Sequence, residues 1–120
     1  MGQRSKEKGK RGEREAAAEL ARLFGCHARR GQQFSGDSTS PDVVCEIPGV
    51  HIEVKRCERL QLWPAIEQAL RDCGESVPVV LHRPNHRPWI AIVPLDGLEN
   101  LAWRIVEFLG SRNDGNDSVF

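Results

Sequence analysis

The chain contains no tyrosine, a single methionine, no apolar run that could span a bilayer, no C-x-x-C pair and no net charge. Each absence narrows the field. A membrane-spanning helix needs roughly 18–20 consecutive apolar residues, and nothing here approaches that, so no membrane partner is expected. No hydrophobic leader segment follows the charged start, so the expected location is cytoplasmic, in a bacterial, archaeal or phage-infected cell. Cys26, Cys45, Cys57 and Cys73 are spaced too widely for a zinc site, which normally shows at least one close ligand pair. Without a secretory signal, disulfides are disfavoured too, and four reduced thiols are expected. No glycine-rich phosphate loop or nucleophile motif occurs, which argues against a small-molecule enzyme. Equal numbers of basic and acidic residues, 17 each, remove the simplest argument for a nucleic-acid partner, a globally basic chain.

The zero hides a division. Residues 1–30 carry nine basic and four acidic side chains, and the remaining ninety carry eight and 13. The first part is therefore at about +5 and the rest at about −5. At 120 residues with 39% apolar content, the chain can bury one core, and one domain is expected. Residues 1–9 are polar and basic and read as a disordered arm. Residues 10–111 form the domain, and 112–120 a flexible tail.

From Lys10 to Phe24 the pattern is helical. Glu13, Ala17, Leu20 and Phe24 share one face, Glu15, Glu19 and Arg22 lie on the solvated one, and Gly25 stops the helix. Residues 26–30 read as a strand, 31–40 as a Gly/Ser-rich loop, and 41–47 as a strand opening at Pro41. After the Pro48-Gly49 turn, residues 50–56 alternate cleanly: Val50, Ile52 and Val54 face one way, His51, Glu53 and Lys55 the other. A helix over 62–74 follows, with Pro64 in its first turn and Gly74 at its end. Residues 77–83 are nearly all apolar, as in a strand buried on both faces. A strand over 89–93 and a helix over 95–110 complete the order α-β-β-β-α-β-β-α, a mixed central sheet flanked by helices. Trp63, Trp89 and Trp103 read as core or subunit interface. The His82, Arg83, His86 and Arg87 group reads as either a solvated loop or a contact to a DNA backbone.

The chemistry concentrates on the 41–56 hairpin. Glu53 and Lys55 stand two residues and roughly 7 Å apart on one strand face, and the turn brings Asp42 to the same edge. Two carboxylates held together repel unless a cation joins them. Hard carboxylate oxygens suit Mg²⁺ or Mn²⁺, and such an ion can polarise a phosphoryl oxygen and activate water. Lys55 could position or deprotonate that water, or neutralise developing charge. Glu13 is a third carboxylate, on the apolar face of its helix, where a charge calls for a partner. The plainer alternative is a first-turn glutamate favoured by the helix dipole.

Pro41-Asp42 followed by Glu53-Val54-Lys55 resembles the PD-(D/E)XK nuclease signature, and the chain holds one P-D and one (D/E)-x-K. The stretches KGKRGERE (8–15), RRGQQFSG (29–36) and VPVVLHR (77–83) resemble archaeal Holliday junction resolvases and their phage-borne relatives. The resemblance spans about residues 8–95, and the 31–40 loop is longer than in some archaeal members. It implies a restriction-endonuclease-like fold and Mg²⁺- or Mn²⁺-dependent hydrolysis of DNA. Asp42 and Glu53 match the metal-binding carboxylates, with the Val54 backbone carbonyl and Glu13 completing the set, and Lys55 matches the catalytic lysine. Lys10, Arg11, Arg29, Arg30 and Ser35 lie where that family contacts DNA. Gln68 is either a further polar contributor, as in several nucleases of this fold, or an ordinary exposed helix residue.

The substrate so implied is branched DNA, above all the four-way junction. Its paired incisions suit a homodimer, with Trp103, Ile105 and Phe108, or Leu62 and Trp63, as candidate interface residues. Two alternatives stand beside this. One is a same-fold nuclease acting on flaps or other repair and recombination intermediates. The other is a non-catalytic DNA-binding relative, against which the intact Asp42, Glu53 and Lys55 argue.

Overall fold

The computed structural model describes residues 2–31 and 40–117, with side chains over 7–31 and 40–112. Helix α1 (Gly2–Phe24) leads into β1 (Ala28–Arg30), β2 (Val43–Cys45) and β3 (Val50–Lys55). Helix α2 (Leu62–Asp72) then carries the chain to β4 (Val77–His82) and β5 (Ile90–Ile92), and a short 3₁₀ turn at Leu95–Gly97 precedes α3 (Leu98–Asp117). The five strands form one mixed sheet in sequence order, antiparallel except for the β3–β4 pair. Parallel neighbours need a crossover, and α2 supplies it. The fold is α/β, with the expected element order.

Two apolar layers sandwich the sheet. On one face Ala16 and Ala17 of α1 pack against Val43, Ile52, Val79 and Leu81; on the other Ala65, Ile66 and Ala69 of α2 close over Val80. The alternation of β3 therefore delivers Ile52 to the α1 side and its odd-numbered neighbours to the α2 side. All six residues of β4 are buried, as its unbroken apolar run requires. Trp89 packs against the α1-side layer, while Trp63 and Trp103 are largely exposed.

Several boundaries and environments differ from expectation. α1 begins at Gly2 rather than Lys10, and α3 runs on to Asp117 rather than ending near residue 110. Neither extension carries apolar periodicity, so hydrophobic pattern could not mark it. Glu15, placed on the wet face, pairs with Arg83 at 2.7 Å and with Arg56 Nε at 3.5 Å. Its charge is drawn in by two guanidiniums that arrive from β4 and from the end of β3. The four cysteines are all free and half-buried.

α3 meets the α1 side of the sheet through Leu101. An apolar groove of about 780 Å³ remains there, lined by Leu20, Phe24, Ile47, Trp89, Leu101 and Ile105 among others. Among the described residues, no helix is long and apolar enough to cross a membrane.

Candidate active site

The site begins with the way the Pro41-Asp42 step is held. Gly31 N–H donates to the Asp42 carbonyl at 2.8 Å, and Asp42 N–H donates to Ile52 O at 2.8 Å. A Cβ at position 31 would fall on the Pro41 carbonyl oxygen, so glycine alone permits this approach of backbone to backbone. Asp42 thus sits one residue before β2, beside β3, and its Oδ2 accepts the Val54 N–H at 2.8 Å.

β3 supplies the rest from its α2-facing side. Glu53 is 2% exposed, and its Oε1 lies 2.8 Å from His51 Nε2 on the same strand face. Lys55 Nζ donates to Gln68 Oε1 of α2 at 2.9 Å. His82, opposite Lys55 on β4, is buried, and its Nδ1 lies 2.9 Å from the Lys55 carbonyl oxygen. The backbone and side chain of Lys55 are therefore both tied down.

The electrostatics of the two carboxylates diverge. Burial pushes the Asp42 carboxyl up to about 7, reinforced by the charges of Glu53 and Glu13 and only partly offset by the Val54 N–H. Burial acts on Glu53 in the same sense, but hydrogen bonds from His51 and Asp42 and the positive charge of His51 and Lys55 outweigh it and hold Glu53 below its usual range. The two neighbouring carboxyls are thus driven in opposite directions, Asp42 toward the protonated form and Glu53 toward the ionised one. Among the described residues, no group of three or more His, Cys, Asp or Glu side chains converges as a metal cluster. Asp42 and Glu53, two hard carboxyl groups side by side, nevertheless fit Mg²⁺ or Mn²⁺, since Mg²⁺ is typically held by one or two carboxylates plus water and substrate phosphate.

Glu13 stands on α1, on the other side of the sheet. Its Oε2 accepts from Arg30 Nε at 3.3 Å, and its charge is felt at Asp42. Arg30, expected at the DNA, is thus engaged with Glu13, while Arg29, Lys10 and Arg11 are exposed. Ser35 lies outside the described residues. Arg14, not singled out by the sequence, joins Arg29, Arg30 and Gly31 in lining a groove between α1 and β1. Its signal was the four-residue spacing from Lys10, which puts both on one helix face.

Behind Lys55, Arg56 braces three segments. Its Nη1 donates to Arg83 O at 3.1 Å and its Nη2 to Asn85 Oδ1 at 3.0 Å. A Cβ at Gly12 of α1 would come within 2.5 Å of Arg56 Cβ, so α1 can pass this close only because residue 12 has no side chain. Of the His82–Arg87 group, His82 is buried and Arg83 is bound to Glu15, whereas His86 and Arg87 are exposed.

Among solved structures, the Holliday junction resolvase Hjc of the archaeal hyperthermophile Archaeoglobus fulgidus is similar, with a TM-score of 0.48 and 21% sequence identity over 69% of this chain and 73% of that one. No protein-family model matches the chain, and no curated protein is significantly similar to it.

Proposed function

We propose that this chain is a metal-dependent DNA endonuclease of the PD-(D/E)XK type that cleaves branched DNA, resolving four-way junctions as a homodimer. The observation that carries the reading is the pairing of half-buried Asp42, anchored to the Val54 N–H, with buried Glu53 of β3, and Lys55 on the same strand face. Asp42 and Glu53 would hold Mg²⁺ or Mn²⁺, helped by the Val54 carbonyl and Glu13. The ion would supply Lewis acidity toward a phosphoryl oxygen and acidify attacking water.

The chain's own groups do the remainder. Lys55, held by Gln68, presents a fixed ammonium to the charge that develops on the phosphorus oxygens. Arg14, Arg29, Lys10 and Arg11 offer positive charge to the DNA backbone on the α1–β1 side. Glu13, bound to Arg30, adds negative charge near Asp42 and so favours a cation there.

The deciding experiment is cleavage of synthetic four-way junctions, flaps and linear duplex with Mg²⁺, using wild type, Asp42→Asn and Lys55→Ala. Paired symmetric cuts confined to the junction, lost in both variants, are expected. Equal cutting of flaps would reassign the substrate to other repair intermediates. No cutting of any DNA by the folded wild type would overturn the nuclease reading.

A further inference from the structure

His51 has no part in the signature, yet its ring lies within hydrogen-bond distance of Glu53. Its side chain is 5% exposed and that of Glu53 is 3% exposed, with 2.8 Å between Nε2 and Oε1. Burying an imidazole on a strand is costly unless its polar atoms are bonded, so the location needs a reason. An ionised carboxylate can only accept, so Nε2 must carry the proton and donate. Residues two apart on one strand face stand roughly 7 Å apart, a gap that an imidazole and a glutamate side chain close between them.

The consequence falls on the direction of Glu53. With Oε1 taken by His51, the other oxygen remains for the side of Asp42, whose carboxyl is close enough to feel the Glu53 charge. Lys55, the neighbouring cation on this face, is turned to Gln68 instead. Without His51, the buried carboxylate would lack a donor on its far side and would swing toward Lys55. We propose that His51 is a positioning residue that aims Glu53 at the metal position and thereby sets metal affinity. This rests on the nuclease reading of the pair.

The test is Mn²⁺ binding to the DNA-free protein, followed by calorimetry, with wild type, His51→Phe, His51→Gln and Glu53→Gln. Partners behind a metal ligand typically cost about 10- to 100-fold in metal affinity when removed. His51→Phe is therefore expected to weaken Mn²⁺ binding by at least about tenfold. His51→Gln, whose amide N–H falls near the Nε2 position, is expected to stay within about threefold of wild type. In cleavage assays the same loss should appear as a higher Mg²⁺ requirement, with most of the rate recovered at saturating metal.

Wild-type affinity in folded His51→Phe would overturn the inference alone. So would a tenfold loss in a His51→Gln protein that melts like wild type, which also decides the matter if the Phe variant does not fold. Failure of wild type to bind Mn²⁺ in a manner abolished by Glu53→Gln would overturn both this inference and the metal-dependent reading. Metal binding that obeys the expected order without any DNA cleavage would uphold the role of His51 and sink only the nuclease function.

Discussion

Asp42 Oδ2 accepts the N–H of Val54 at 2.8 Å, so a carboxylate ahead of one strand is anchored to the residue between Glu53 and Lys55 on the next. The three residues of the signature are thereby locked by backbone, and their relative positions do not depend on side-chain packing alone. Four expectations follow from this and from the surrounding contacts.

Asp42 makes stability depend on pH. Its carboxyl titrates at about 7 in the folded chain against about 4 when unfolded. The stability it contributes is complete below about pH 4 and is lost as pH rises through about 7. Asp42→Asn cannot ionise but can still accept the Val54 N–H. In metal-free melts, the variant should therefore gain on wild type between about pH 5.5 and about pH 8. A difference in melting temperature that is the same at both would show that Asp42 does not carry the raised carboxyl.

Gln68→Ala releases the Lys55 ammonium from its 2.9 Å partner. Misplacing a catalytic group on the 1 Å scale costs on the order of 10- to 100-fold in rate. On the nuclease reading, single-turnover cleavage should slow by that amount with DNA affinity little changed. An unaltered rate would return Gln68 to the role of an ordinary helix residue.

Two glycines of α1 should respond oppositely to alanine. Nothing lies within 4 Å of a Cβ at Gly9, whereas one at Gly12 meets Arg56 Cβ at 2.5 Å. Gly9→Ala is expected to stabilise by up to about 1 kcal/mol through helix propensity. At Gly12 the same gain is set against overpacking worth about 1–3 kcal/mol, giving a net loss. Chemical denaturation of the two variants side by side checks both the helical state of residue 9 and the α1–Arg56 contact.

On the nuclease reading, the α1–β1 groove takes DNA phosphates, and its part should be read by salt. Each phosphate contact contributes about one unit to the slope of log K against log salt. Replacing Arg14 and Arg29 together by alanine should flatten that slope by about two, uniformly across DNA sequences. A slope unchanged by the double variant would move the DNA path elsewhere. Lys10→Ala with Arg11→Ala extends the same measurement along the helix.

What could be read in the sequence follows from what is local. The period-2 alternation of 50–56 was enough to put His51, Glu53 and Lys55 on one face, and the one P-D step lay across the turn from them. The apolar stripe of α1 singled out Glu13 by its position among Ala17, Leu20 and Phe24. It could not show that Arg30, 17 residues on, would take up that charge, nor that Arg56 and Arg83 would draw Glu15 off the solvated face. Those pairings join elements distant in the chain. His51 was on the right face from the start, but alternation assigns sides and not partners. The N-terminal turns of α1 are polar all round, so their helicity left no trace in the hydrophobic pattern.

One consequence of the β3 alternation reaches beyond the site itself. The strand that carries Glu53 and Lys55 is also the strand whose Ile52 completes the α1-side core. A slip of one residue in its pairing with β2 exchanges the two faces. It would drive a carboxylate and an ammonium against Ala16 and Leu81 and turn the aliphatics to the α2-facing side. Such a chain would bury unpaired charge in its core and could not stay folded. The core therefore fixes the frame of this strand: any copy that buries Ile52 on the α1 side also holds Glu53 and Lys55 together on the opposite face.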